Sequence, residues 1–211
     1  GIIFTLLVTV FLPVIVWILL ASKFKKISFP ILAGALGFII PQIFIRIPVL
    51  SFLSGFSFYQ SFYINHYFLC CFFLAFTAAL FETAGRLSVF GFLLYKRKNF
   101  TSALGAGYGH GISEAVLLVG ISYINNLIFS LMINSGIMPQ FQGSGQILAV
   151  LTDTAPEIFF AAGTERIFTV IFHMMASVLL AYFFYQKKAA LGFILCVFIH
   201  TALDFISVAI L

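Results

Sequence analysis

"TSALGAGYGHGISEAVLLVGISYINNLIFSLMI", residues 101–133, opens with alternating glycines and then carries His110 and Glu114 before a long apolar run. Residues 105–118 are either a polar loop between elements or part of a membrane helix with chemistry at its centre. The rest of the chain decides between these. Of its 211 residues 63% are hydrophobic and 8% charged, with 29 phenylalanines, six acidic residues and a mean hydropathy of +1.17. A soluble domain carries roughly 25% charged residues. Apolar runs near the ~20 residues that cross a bilayer recur along the whole length. The short alternating segments of a transmembrane barrel are absent. The fold class is all-α, a polytopic transmembrane helix bundle, and 101–133 is one of its helices.

Working outward, six spans are expected at 2–21, 28–46, 68–95, 101–133, 157–185 and 189–211. They divide into an N-terminal pair with its outer loop (1–67) and a four-helix core that carries the polar residues (68–211). The first span lacks a basic n-region and a cleavage site, so it reads as a retained helix. Gly1 is not a methionine, and Leu211 ends an apolar run, so the ends read as trimmed, with room for another helix beyond either one. Lys23, Lys25 and Lys26, then Lys96, Arg97 and Lys98, then Lys187 and Lys188 fall in three loops on one side. The positive-inside rule makes that side cytoplasmic and the N-terminus outward, as in a bacterial cytoplasmic membrane. The net charge of +5 is then a matter of topology and lipid headgroups, not of nucleic acid. Loops are expected on the outer side at 48–67 and 135–156; the second either joins two helices or caps an opening. Cys70, Cys71 and Cys196 have neither zinc-motif nor disulfide spacing and read as small buried hydrophobes.

Few ionisable residues remain inside the spans, and each costs ~2.5–3.5 kcal/mol on insertion scales. Glu82 and Arg86, His110 and Glu114, and His200 and Asp204 are i,i+4 pairs, while Arg166 and His173 are i,i+7, so each pair shares a helix face. Counting from the flanking lysines at 1.5 Å per residue, Glu82, His110, His173 and His200 lie about 18–21 Å from the cytoplasmic edge. Four helices thus present polar side chains at one depth. Singly, Glu82–Arg86 reads equally as a self-neutralising bridge, a lone histidine as interhelical glue, and Glu165–Arg166 as structural pairing near the interface. Together the layer points to function. Gly105, Gly107, Gly109 and Gly111 read as making room for close helix approach or for access to His110.

"FETAGR" (81–86), "GYGHGISEA" (107–115), "ERIFTVIFH" (165–173) and "HTALD" (200–204), in that order, resemble the YhfC family of intramembrane proteases. That family's superfamily includes the CAAX prenyl endopeptidases, PrsW and the gamma-secretase scaffold subunit. The resemblance covers about residues 78–207. It implies peptide-bond hydrolysis within the bilayer, acting on a membrane-embedded peptide or protein and in contact with lipid. The superfamily's Glu-Glu pair and following basic residue match Glu82 and Arg86, with Thr83 in place of the second glutamate. The remaining motifs match His110, with Glu114 as the YhfC-type addition, then His173, and then His200 with Asp204. Catalytic roles are thereby implied for Glu82, Arg86, His110, Glu114, His173, His200 and Asp204.

Two chemistries suit those residues. A buried carboxylate, Glu82, can act as general base toward water while histidines hold the oxyanion, with no cofactor. Alternatively His110, Glu114, His173 and His200 bind a divalent ion such as Zn²⁺. No HExxH motif is present, and the metal-free scheme is the one expected. A small-molecule-binding or ion-coupled transporter subunit, or a non-catalytic membrane scaffold, would use the same residue types.

Overall fold

The computed structural model describes residues 1–137 and 144–210. It is an all-α polytopic helix bundle, with no strand among the described residues. Among the described residues eight helices follow in order: α1 Ile2–Lys23, α2 Ser28–Ser54, α3 Ser57–Asn65, α4 Tyr67–Leu93, α5 Phe100–Asn134, α6 Ser144–Asp153, α7 Pro156–Tyr185 and α8 Ala189–Ile210. Of these, α1, α2, α4, α5, α7 and α8 are long and apolar enough to cross a membrane. The expected loop at 48–67 is instead helical, because α2 continues to Ser54 and α3 follows after a short turn. Within the second expected loop, residues 144–153 are helical as α6, and 138–143 lie outside the described residues.

The prolines explain why α2 looked shorter. Proline removes a backbone donor and crowds the preceding carbonyl, which ordinarily ends or kinks a helix. Here Ile39–Arg46 winds as a wider π-helical stretch that contains Pro41 and runs up to Pro48. Leu7–Phe11 winds the same way just before Pro13 in α1, and Val89–Leu93 and Ala115–Gly120 do so in α4 and α5. Such widened turns take up the distortion without breaking the span.

Packing groups the chain into two compact units that do not follow sequence order. One comprises Gly1–Lys25 with Gly111–Phe172, the other Lys26–His110 with His173–Leu211. In the first, α1 packs through Thr5, whose hydroxyl donates to the Phe159 carbonyl at 2.5 Å, and against Gly120 and Gly163. In the second, α5 is squeezed between two neighbours. A Cβ at Gly109 would overlap the Ile31 carbonyl of α2, and one at Gly107 would press on the His173 carbonyl and Met174 of α7. Residues two apart in a helix face nearly opposite ways, so the alternation gives each neighbour its own flat face. The space expected around His110 is therefore filled by backbone, and His110 is 0% exposed. Gly37 and Gly85 bring α2 and α4 together in the same manner. All three cysteines are free and buried, as expected.

Candidate functional site

The second unit holds the polar layer. From α4 comes Glu82, buried and 3% exposed, whose Oε2 is the centre of the cluster. His110 of α5 places Nε2 3.0 Å from it, His200 of α8 places Nε2 at 3.8 Å, and His173 of α7 places Nδ1 at 4.0 Å. The His110 and His173 rings lie 4.9 Å apart and those of His173 and His200 5.4 Å apart. Four helices thus deliver one carboxylate and three imidazoles to one point, and all four residues are buried.

Arg86, one turn along α4 and 2% exposed, donates to Glu82 Oε2 at 3.5 Å and also to His173 Nδ1. Guanidinium can only donate, so His173 Nδ1 is the acceptor in that contact. Asp204 stands one turn from His200, with Oδ2 3.3 Å from its Nε2, and keeps 35% of its side chain exposed. Phe38 of α2 meets His110 edge-on at 5.2 Å. Beside this layer, α4 and α8 leave an open apolar groove of about 640 Å³; its lining includes Leu80, two residues from Glu82, and Thr201, next to His200.

Glu114 belongs to the first unit and has a different partner. Its Oε1 accepts from Arg166 at 2.8 Å, and Arg166 also grips both carboxylate oxygens of Glu165. Glu114 and Arg166 leave 13% and 12% of their side chains exposed, against 55% for Glu165. The i,i+7 relation of Arg166 to His173 does not govern here; Arg166 is committed to carboxylates.

The donors suit a zinc-type ion. Among the described residues, ligating atoms of Glu82, His173 and His200 lie within 4.8 Å of one another. Bonds of about 2.0–2.2 Å in a tetrahedral site set ligand atoms about 3.4 Å apart, so a modest contraction is enough. The His173 Nδ1 lone pair would serve either the ion or Arg86.

Sequence alone missed two polar residues of α2, Gln42 at 4% exposure and Arg46 at 8%. Arg46 donates to the Leu74 carbonyl at 2.7 Å and to Thr77 Oγ1 at 3.1 Å. Their signal was the four-residue step from Phe38 to Gln42 to Arg46, hidden between two prolines.

A match to the family of YhfC intramembrane metalloproteases runs over residues 7–211. The chain belongs to the YhfC family. The match takes in α1 and α2, so the resemblance is wider than the four motifs and includes the helix that bears Gln42 and Arg46. One YhfC relative, from Bacillus subtilis (strain 168) and described as an uncharacterized membrane protein YhfC, is 28% identical over 112 residues. Those residues are 50% of this chain and 43% of that protein, so the shared stretch spans less than half of the relative. No solved structure matches the chain. As a YhfC-family member with six apolar helices of membrane length, it is an integral membrane protein.

Proposed function

We propose that this protein hydrolyses peptide bonds of membrane-embedded substrates at the Glu82 cluster, with a divalent ion held by Glu82, His173 and His200. The observation that carries the reading is the convergence of those three buried ligands within 4.8 Å of one another in a chain of a metalloprotease-named family. The expected preference for metal-free chemistry gives way on these two grounds. A bound Zn²⁺ would supply Lewis acidity and lower the pKa of a bound water. The chain's own groups do the rest. His110 Nε2, 3.0 Å from Glu82, hydrogen-bonds the attacking water or the developing oxyanion. Asp204 lies against the same His200 Nε2 that faces Glu82, so it would hold that nitrogen by a hydrogen bond while no ion is bound and would yield it to the ion. Arg86 balances charge beside Glu82. Phe38 and the glycine-tight packing of α5 keep bulk water from His110. The basic loops make the N-terminus outward in a bacterial cytoplasmic membrane.

A metal-free reading, with Glu82 as general base, is favoured by one specific contact: Arg86 already engages His173 Nδ1. Metal analysis of the purified protein separates the two. On the metal reading, wild-type protein retains close to one equivalent of ion. Chelation abolishes cleavage of a single-span peptide and Zn²⁺ restores it. Glu82→Gln loses both ion and activity. Chelator-resistant cleavage by metal-free protein, lost in Glu82→Gln by the ~10²–10⁴-fold of a missing base, would establish the second reading instead.

A further inference from the structure

Phe38, Gln42 and Arg46 step along one side of α2. Phe38 touches His110, and Arg46 is bonded to Leu74 and Thr77 of α4. Gln42 lies between these contacts. On α4, Gly85 meets Gly37 and Pro41, while Leu74 and Thr77 meet Arg46. Residues 78–82 of α4, Glu82 among them, are therefore the stretch level with Gln42. Gln42 is 4% exposed, yet its Oε1 has no hydrogen-bond partner among the described residues. Native proteins rarely leave a buried carbonyl oxygen so, and each instance calls for a reason. The residue sits in the widened stretch Ile39–Arg46, and such turns are common at functional sites.

A peptide bond can be cut only where the substrate helix is unwound, and unwinding frees backbone N–H groups at a depth without water to receive them. An unpaired side-chain acceptor level with Glu82 meets that need. Acyl chains offer it no donor. Resting on the proteolytic reading above, we propose that Gln42 is a substrate-binding residue whose Oε1 accepts a hydrogen bond from a peptide N–H beside the scissile bond.

The probe is a synthetic single-span Leu-Ala peptide with a central Gly-Ser pair, reconstituted with the full chain in phosphatidylcholine nanodiscs. Ester-substituted twins replace its central N–H groups with oxygen one at a time. Binding is read by fluorescence in the Glu82→Gln background, so no turnover is needed. Gln42→Met keeps the length of the side chain and removes the acceptor. It is expected to weaken binding about tenfold, the scale of one lost hydrogen bond in a dry site. One ester twin should bind equally well to the protein that keeps Gln42 and to the Gln42→Met variant, as a double-mutant cycle requires. Thermal stability should hold or rise, because an unpaired polar atom has gone. Gln42→Asn, which withdraws the amide by a methylene, should show the same loss. Unchanged binding in both variants overturns the proposal, and so does a fall in stability that tracks the binding loss. If Gln42-dependent binding persists but wild-type protein never cleaves the peptide, the proteolytic reading fails and the binding site stands.

Discussion

At the residue scale, charge is handled in two ways. Eight of the eleven basic residues lie in the three loops or at their edges; the remaining three, Arg46, Arg86 and Arg166, lie inside helices, and each donates to at least one oxygen acceptor. Arg166 gives the clearest prediction, because Glu114 is largely buried against it. Removing one member of a largely buried pair leaves its partner's charge uncompensated. Arg166→Met should thus destabilise by about 3 kcal/mol, read as a lower melting temperature in detergent. Adding Glu114→Leu should recover most of the loss. If the single variant melts like wild type, the pair is ornamental to stability. Sequence revealed that Glu82, His110, His173 and His200 share a depth, since helical rise turns residue counts into height. It did not reveal that Glu114 faces Arg166. Partner choice between helices depends on rotation about each axis, and one chain's spacing leaves that free.

At the scale of the element, small residues and widened turns govern what the helices can do. α5 reads as a helix despite its run of polar and flexible positions because its glycines are packing surfaces. Gly109→Val should cost about 3 kcal/mol or prevent folding, since its side chain would collide with Ile31 backbone that cannot yield. Gly91→Ala is the control: nothing lies within 4 Å of the added carbon, so stability should hold or improve slightly. Equal melting temperatures for the two variants would remove the packing argument. The end of α2 was not legible because proline carries a strong stop signal. The π-helical stretch Ile39–Arg46, which contains Pro41 and ends just before Pro48, carries the helix past it, and Arg46 at its end is bonded to α4.

At the scale of the whole molecule, the basic loops predict topology. Single cysteines introduced beside Lys25, Arg97 and Lys187, in a background where the three native cysteines are replaced, should react with a membrane-permeant maleimide and not with an impermeant one in intact cells. Labelling from outside would reverse the proposed orientation. The six spans and their helical class could be read from hydropathy alone. Their grouping could not, because neither compact unit is a continuous piece of chain. That grouping has a consequence for biosynthesis. α1 leaves the ribosome long before Phe159 and Gly163, its partners some 154 residues downstream at the Thr5–Phe159 bond. Until α5 with Gly120, and then these residues of α7, arrive, it lacks the neighbours it packs against. It is equipped to wait: it is the most apolar of the six spans, and the Thr9 hydroxyl is already satisfied within the helix by the Thr5 carbonyl at 2.8 Å. The Thr5 hydroxyl, by contrast, lacks its acceptor until the Phe159 carbonyl is made, a short-lived liability that a nascent chain bearing Thr5→Val would not carry.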